Sequence, residues 1–295
     1  MTQRRTDLAL EATELWQEQG GDPGALSGVR TRETSREGFP VTTVDILDDR
    51  GAQALGKPAG SYVTLGLEGL MEREEDAFGR AARALAAELK PLLKLKEGEL
   101  VLVVGLGNRA ITPDAVGPLT ADQTMVTRHL TQRVPEHFGA FRPVAALAAG
   151  VLGSTGVESS ELIRAVVEQI RPARVVAVDA LASRSLSRLC ATIQLADTGI
   201  TPGSGVGNAR AALNQETLGV PVVAVGVPTV VDAATLAADL LGGAEAPALG
   251  KAPALMVTPK DIDAHVADLS KVLGYGITLA LQEGLTLEDV ELFLS

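Results

Sequence analysis

Several residue types are scarce in this sequence, and each scarcity excludes a class of function. Cysteine occurs once, at Cys190, so an internal disulfide and a cysteine-based zinc site are excluded. Aromatic residues make up only 3% of the chain and offer no platform for stacking single-stranded bases. The 26 basic residues are outnumbered by 37 acidic ones, for a net charge of −11, whereas a direct nucleic-acid binder needs a basic face.

Metal-binding and reactive side chains are equally sparse. The three histidines, His129, His137 and His265, do not have the spacing of metal ligands, so the sequence predicts no metal site and no cofactor. Cys190 stands in an apolar context, which indicates a core residue.

Long hydrophobic runs are missing as well. The most apolar stretch, residues 220–241, is interrupted by Pro221, Pro228, Asp232 and Asp239, and it predicts a buried strand followed by a helix rather than a membrane span. The N-terminus has no apolar segment of signal-peptide length. The sequence therefore predicts a soluble, cytoplasmic protein without a membrane partner.

From residue 100 onwards, short apolar runs alternate with helical segments. The runs begin at Leu100, Arg174 and Pro221, and each is followed after five residues by Gly or Asp. Strands that are buried on both faces have such continuous apolar runs. The pattern predicts an α/β fold with a mostly parallel sheet and helices on both faces.

The rest of the chain predicts an added N-terminal β/α segment and a helical C-terminus. Residues 243–254 are rich in Ala, Pro and Gly and are expected to form a short linker. The expected helices cover residues 8–19, 72–89, 158–170, 260–282 and 286–294, and the expected N-terminal strands cover 41–47 and 61–67.

Two aspartates follow apolar runs, where ligands bind in parallel sheets. Asp179 directly follows the second run, and Asp114 follows the first run after a Gly-containing loop. Asp114 has an alternative role as the cap of a turn or short helix, and for Asp179 a structural role is as plausible as a functional one. As a pair they suit hydrolysis, in which one ionised acid takes a proton from water while the other, still protonated, polarises the carbonyl.

A dinucleotide-binding fingerprint offers a competing function. Residues 105–110 match Gly-x-Gly-x-x-Ala after a strand, which is typical of nucleotide-binding oxidoreductases. However, Pro113 stands where the cofactor-binding helix should continue, and no second strand precedes the expected acid. A non-catalytic binding scaffold is the third class that remains open.

Three further motifs have ordinary interpretations. The Gly-rich residues 203–208 form either a tight turn or an anion-binding loop. Asp197-Thr198-Gly199 matches pepsin-like proteases, but those are double-lobed β proteins, so a chance match is favoured. Ser154 lies close to a helix start and is expected to be a capping residue rather than a nucleophile.

Ten segments in order along nearly the whole chain carry a family resemblance. They cover residues 5–9, 62–65, 105–108, 112–115, 153–158, 177–185, 191–194, 197–208, 226–233 and 256–260. In combination they resemble the germination protease (spore protease) family of spore-forming bacteria. The resemblance implies an atypical aspartic endopeptidase, unrelated to pepsin, with a fold similar to hydrogenase maturation proteases.

The resemblance also implies site residues and a maturation step. The essential aspartates fall on Asp114 and Asp179, and the bond cut in a self-processing zymogen falls between Asp7 and Leu8. Residues 1–7 would then be the propeptide and residues 8–295 a single protease domain. From the residues alone, Asp7 has an equally ordinary role as the cap of the first helix.

The implied substrates are the small acid-soluble proteins that coat spore DNA and are degraded during germination. The family cuts them after Glu in a Thr/Ser-Glu-Ile/Phe-Ala context, which residues 6–9 imitate. A homotetramer in the spore core is also implied. The chain departs from the family in a short propeptide and in having only about a dozen residues, 243–254, where a longer insert usually stands.

Overall fold

The computed structural model describes residues 6–18, 26–207, 209–240 and 255–294. The predicted linker 243–254 and Asn208 lie outside these residues. Nine strands run through the described chain: β1 Val29–Arg36, β2 Phe39–Ile46, β3 Gly60–Gly66, β4 Val101–Leu106, β5 Val144–Gly150, β6 Arg174–Ser183, β7 Thr192–Ala196, β8 Val222–Asp232 and β9 Met256–Val257.

Thirteen α-helices lie between and beyond these strands in the described chain, with 3-10 turns at Thr112–Asp114, Leu186–Arg188 and Ser204–Val206. They are α1 Ala9–Glu18, α2 Asp49–Leu55, α3 Glu68–Met71, α4 Ala77–Leu93, α5 Val116–Asp122, α6 Arg128–Arg133, α7 Pro135–Phe138, α8 Leu152–Thr155, α9 Ser159–Ile170, α10 Gln215–Leu218, α11 Ala233–Leu240, α12 Ile262–Leu281 and α13 Leu287–Leu294. None of the helices described is both long and apolar enough to cross a bilayer.

All nine strands form one sheet with two differently built halves. The order is β1-β2-β3-β7-β8-β6-β4-β5, and the short β9 pairs with β8. Strands β8, β6, β4 and β5 are mutually parallel, and we call them the parallel half. Strands β1, β2, β3 and β7 are antiparallel, and we call them the antiparallel half; β7 joins β8 in antiparallel pairing. The predicted α/β class with an added N-terminal segment is confirmed.

The parallel half is buried on both faces, as its apolar runs predict. All six residues of β4 are buried. Val101 and Val103 pack with α4 and α12 on one face, whereas Leu102 and Val104 pack with α9 on the other. Alternate side chains of a strand point to opposite faces, so each face needs its own apolar cover.

Two sequence expectations about strand ends need correction. β6 continues through Asp179 to Ser183, and β8 continues to Asp232, because the two strands remain paired over that length. Asp179 therefore lies inside a strand rather than at its end. It nevertheless lies at an edge, because the neighbouring β4 pairs with β6 only as far as Val178.

The N-terminal region also differs from expectation. The helix predicted over 72–89 begins at Ala77 and runs past Pro91 to Leu93; Leu89 and Leu93 are buried in the core, and their packing offsets the helix-breaking effect of the proline. Strand β1 was missed because nearly every residue in it is exposed and polar, so it has no hydrophobic alternation.

Candidate active site

Asp114 is positioned by a tight loop that follows β4. Gly107 has φ +111, and a Cβ there would lie 2.0 Å from the Asp114 carbonyl oxygen, so only glycine fits. The backbone N–H of Asn108 donates to Asp114 Oδ2 at 2.7 Å. Thr229 Oγ1 in β8 donates to the Pro113 carbonyl at 2.7 Å and ties the turn to the sheet. The Asp114 carboxylate is thereby held at the sheet edge.

Asp179 is the more buried of the two acids, with only 5% of its surface exposed. Its Oδ1 accepts from the backbone N–H of Ala180 at 3.0 Å. Burial raises the pKa of Asp179 well above its usual value, and the negative charges of Asp114 and Asp7 raise it further. Burial also raises the pKa of Asp114, although the Asn108 N–H and Arg210 oppose that rise.

The two aspartates predicted from sequence line the same cavity. This cavity has a volume of about 370 Å³ and is also lined by Asp7 and by apolar side chains such as Leu106 and Ile111. Three carboxylates, those of the pair and of Asp7, thus line one mostly apolar pocket, where burial and like charges raise the pKa of Asp179. Such a pair can take a proton from water and give another to a substrate.

Asp7 is held by a backbone donor in β6 and a hydroxyl donor in the turn Ser204–Val206. Its N–H donates to the Ala182 carbonyl at 3.0 Å, and Ala182 N–H donates to Asp7 Oδ2 at 2.9 Å. Ser204 Oγ donates to Asp7 Oδ1 at 2.8 Å. A Cβ on Gly205 would lie 2.1 Å from Asp7 Oδ2, so the Gly-rich turn closes directly on this carboxylate. The turn therefore holds an anion that belongs to the same chain, and the carboxylate is not the cap of α1.

The carbonyl oxygen of Asp7 has two side-chain donors. Lys57 Nζ lies 2.8 Å from it and Gln194 Nε2 lies 3.2 Å from it. Gln194 Oε1 in turn accepts from the N–H of Ala9 at 3.2 Å. These groups line a second cavity, of about 550 Å³, to which Asp7 also contributes. Asp7 thus lies between the carboxylate cavity and a cavity lined by donors.

Helix α1 is anchored beside this site by a buried acid. Glu11 is fully buried and accepts from the backbone N–H groups of Arg184 at 2.7 Å and Ser185 at 3.0 Å. Arg188 Nη1 lies 3.2 Å from Glu11 Oε1, and Thr6 Oγ1 also donates to this carboxylate. A fully satisfied buried carboxylate fixes the segment that precedes it, including Asp7.

The loop that matches the dinucleotide-binding fingerprint packs closely against α5 and binds the Asp114 carboxylate. Gly105 allows close packing, since a Cβ there would lie 2.1 Å from the Gly117 carbonyl oxygen. The Asn108 N–H, which would face a phosphate in a nucleotide site, is bonded to the Asp114 carboxylate. A negative side chain at this point repels a pyrophosphate.

The remaining motifs have structural roles. Asp197 Oδ1 accepts from Ser61 N–H at 2.8 Å and fixes the start of β3. Ser154 bonds only to Val151 within α8 among the contacts described. Cys190 is buried in the main core as predicted, and burial raises the pKa of its thiol to about 12, which makes it unreactive at neutral pH. In the described chain, His, Cys, Asp and Glu side chains form no cluster of three or more that could hold a metal ion.

Sequence reasoning missed Lys57 and Gln194. Gln194 carries a recognisable signal, because a polar side chain inside a buried strand needs a specific partner. Lys57 carries none: it follows Gly56 in a polar loop, and its proximity to Asp7 arises only in three dimensions.

The fold and the site define a mixed α/β protein with a carboxylate pair beside a bound segment of its own chain, and comparison with known proteins identifies its family. The model of the germination protease family matches residues 9–242. Germination proteases of Caldanaerobacter subterraneus subsp. tengcongensis and Clostridium perfringens are 44% and 42% identical to this chain, over 98% and 99% of both proteins. The chain belongs to the germination protease family and is a peptidase.

One further relative and one solved structure are also similar to this chain. The germination protease of Clostridium acetobutylicum is 40% identical over the full length of both chains. Among solved structures, a NiFe hydrogenase maturation protease, HycI from Thermococcus kodakarensis KOD1, is 19% identical with a TM-score of 0.37, over 64% of this chain and 98% of that one.

Proposed function

We propose that this chain is a zymogen endopeptidase that cleaves its own Asp7–Leu8 bond and then degrades small acid-soluble spore proteins. The observation that carries the proposal is the convergence of Asp7, Asp114 and Asp179 on one cavity. Residues 6–9, the segment that resembles a substrate, are held beside the acids by specific bonds. Residues 1–7 would be the propeptide and residues 8–295 the protease domain.

The environments of the two acids support a different role for each. Asp179 is buried and close to two other carboxylates, so its raised pKa keeps it protonated and it acts as the acid. Asp114 is less buried than Asp179, and the Asn108 N–H and Arg210 oppose the rise that burial causes in its pKa, so it acts as the base that takes a proton from water. Because one acid must stay protonated, mild acidification should favour cleavage.

The pocket around the Asp7 side chain supports a preference for an acidic residue before the cut. Two donors, Ala182 N–H and Ser204 Oγ, are aimed at the carboxylate. Charge-assisted hydrogen bonds of this kind are about twice as strong as neutral ones. A substrate glutamate would place its carboxylate against the same turn.

Membership of the germination protease family supports the biological setting. The substrates would be the acid-soluble proteins of the spore core, degraded during germination, and the active form would be a homotetramer. The competing oxidoreductase function has no observation in its favour, because the fingerprint loop binds Asp114 instead of a phosphate.

Intact-mass spectrometry at mildly acidic pH tests the proposal. The wild type should lose residues 1–7, and both Asp114→Asn and Asp179→Asn should slow this loss by at least about 100-fold, the scale of removing a general acid or base. Asp122→Asn is the matched control, since Asp122 is an exposed acid paired with Arg109. Full processing in either of these two aspartate variants would contradict the assignment of Asp114 and Asp179 as catalytic residues. Stable complexes with a peptide containing Thr-Glu-Ile-Ala, without cleavage, would indicate a binding scaffold.

A further inference from the structure

The Asp7 carbonyl oxygen makes contacts that the aspartate pair does not explain. An amide carbonyl oxygen has two lone pairs, and here Lys57 Nζ at 2.8 Å and Gln194 Nε2 at 3.2 Å both donate to it. One donor is the amine of Lys57, whose pKa burial lowers while the charges of Asp7 and Glu11 oppose that change, and the other is a neutral amide. This is the arrangement that stabilises negative charge on a carbonyl oxygen during acyl transfer.

Sheet register places Gln194 in the same row as Asp179. Gln194 in β7 pairs with Gly226 in β8, and Gly226 pairs with Asp179 in β6. Residues directly opposite one another in a sheet point to the same face, and two strand spacings separate the outer pair by about 10 Å. A peptide carbonyl between them can meet the acid from one side and the amide from the other.

Both donors are fixed before any reaction begins. Gln194 is only 6% exposed, and its Oε1 accepts from Ala9 N–H, so the amide cannot rotate its NH₂ away from the Asp7 carbonyl without losing that bond. Lys57 follows Gly56, whose left-handed conformation ends α2 and turns the chain back. Lys57 N–H also bonds to the Ala52 carbonyl at 3.2 Å, which anchors its backbone.

We propose that Lys57 and Gln194 are catalytic residues that hold the carbonyl oxygen of the residue before the cut and stabilise the oxyanion formed there. The inference rests on the proposed function and refines its mechanism. It assigns carbonyl polarisation to Gln194 in β7 and to Lys57 in the loop that precedes β3. The protonated aspartate is then free for another proton transfer.

Hydrolysis of the Asp7–Leu8 bond then passes through a tetrahedral intermediate. Water adds its oxygen to the Asp7 carbonyl carbon and gives a proton to Asp114, and the carbonyl electrons move to the oxygen held by Lys57 and Gln194. When the carbonyl re-forms, the bond to the Leu8 nitrogen breaks, and that nitrogen takes the proton of Asp179. The products are a new carboxyl group on Asp7 and a free amine on Leu8. Proton transfer from Asp114 to Asp179 restores both acids.

A simpler role for Lys57 is that of a tether that keeps residues 6–9 in place. The two roles differ in their consequences. A tether stabilises the bound position of residues 6–9. An oxyanion donor stabilises the transition state more strongly than it stabilises the bound peptide. The rate of cleavage and the binding of residues 6–9 in the site must therefore be measured separately.

The experiment follows loss of residues 1–7 by intact mass in the full chain at mildly acidic pH, together with hydrogen exchange of the Asp7 and Ala9 amides. Lys57→Met should slow cleavage by about 100-fold or more, the scale of losing one oxyanion donor. Exchange at both amides should stay within about twofold of the Asp179→Asn protein, in which Lys57 and Gln194 are both intact. Lys57→Arg, which retains a cationic donor, should recover part of the rate. Lys90→Met is the control, because Lys90 is an exposed lysine on α4.

Gln194→Glu provides a second, independent variant should Lys57→Met fold poorly. It keeps the oxygen that accepts from Ala9 N–H but loses both N–H donors, and cleavage should slow at least about tenfold. A cleavage rate within threefold of wild type in a folded Lys57→Met or Gln194→Glu protein would overturn the inference. It would not affect the proposed roles of Asp114 and Asp179. Slow cleavage with freely exchanging Asp7 and Ala9 amides would also overturn it, in favour of a tether. A wild type that never cleaves would overturn the proposed function itself.

Discussion

The parallel and antiparallel halves of the sheet contribute differently to this protein. The parallel half is buried on both faces and contributes Asp179 and the loop of Asp114. The antiparallel half ends in the exposed strand β1 and contributes Gln194. The candidate site lies where β7 and β8 join the two halves. The parallel half thus carries the acids, and the antiparallel half carries Gln194, which contacts the bound segment.

Close backbone packing should make the parallel half the less tolerant of substitution. A Cβ on Gly105 would lie 2.1 Å from the Gly117 carbonyl oxygen, and neither backbone can move without displacing β4 or α5. Gly105→Ala should lower the free energy of unfolding by about 3 kcal/mol or more. Denaturant melts measure this.

The control for that comparison is Gly153→Ala. Gly153 lies in α8, has an ordinary φ, and a Cβ there would meet no atom within 4 Å. Its stability should change by less than about 1 kcal/mol. Equal effects of the two substitutions on the free energy of unfolding would show that close backbone packing at β4 does not decide how well the parallel half tolerates substitution.

The buried acid should make the parallel half sensitive to pH. Asp179 has a raised pKa, so its folded form is favoured when protonated, and the stability it contributes is lost as pH rises through that pKa. Asp179→Asn should therefore stabilise the protein by about 1 kcal/mol or more at neutral pH, with the gain shrinking towards pH 4. Thermal melts of both proteins across that range measure the difference. A constant difference at all pH values would contradict the ionisation argument.

The smallest effect is expected at the exposed edge of the antiparallel half. Arg30 and Arg32 each approach Asp45 Oδ2 at 3.0 Å, but both arginines are more than half exposed. Replacing both with Ala should cost less than about 1 kcal/mol at neutral pH and low salt.

The contribution of Asp45 to stability should depend on pH in the opposite direction from that of Asp179. Burial alone would raise the pKa of Asp45, but its hydrogen bonds to Ser61 and Arg30 and the nearby charges lower it overall. A group with a lowered pKa contributes stability above its unfolded pKa, and that contribution is lost as pH falls. The difference between wild type and the double variant should vanish in acid and in high salt. If melts showed that the double variant loses several kcal/mol of unfolding free energy, β1 would contribute more to stability than an exposed edge strand should.

The parallel half was predictable because its signal is local. Continuous apolar runs specify strands buried on both faces, and the polar residue after each run marks the ligand-binding edge. That reasoning selected Asp114 and Asp179 and placed them together, although β6 extends beyond Asp179. The strand end was misjudged because pairing with β8, rather than the apolar run itself, decides where β6 stops.

The antiparallel half was less predictable because its strands depend on their partners. β1 has almost no buried residue, and its eight residues form a strand by pairing with β2. Lys57 lies in a loop with no periodic pattern, and Gln194 is a single polar residue in β7. Nothing local in the sequence reveals that both side chains meet the same carbonyl oxygen.

The sequence by itself determined the class of fold, the two candidate acids and the family, because each depends on residue types within short segments and on the order of those segments along the chain. Only the tertiary structure decided that Asp7 lies between two cavities, with its side chain against Ser204 and its carbonyl against Lys57. The register of β7, β8 and β6, which aligns Gln194 with Asp179, was likewise decided in three dimensions. The physical reason is that register and long-range contacts follow from packing of the whole core, whereas apolar patterning acts within one segment.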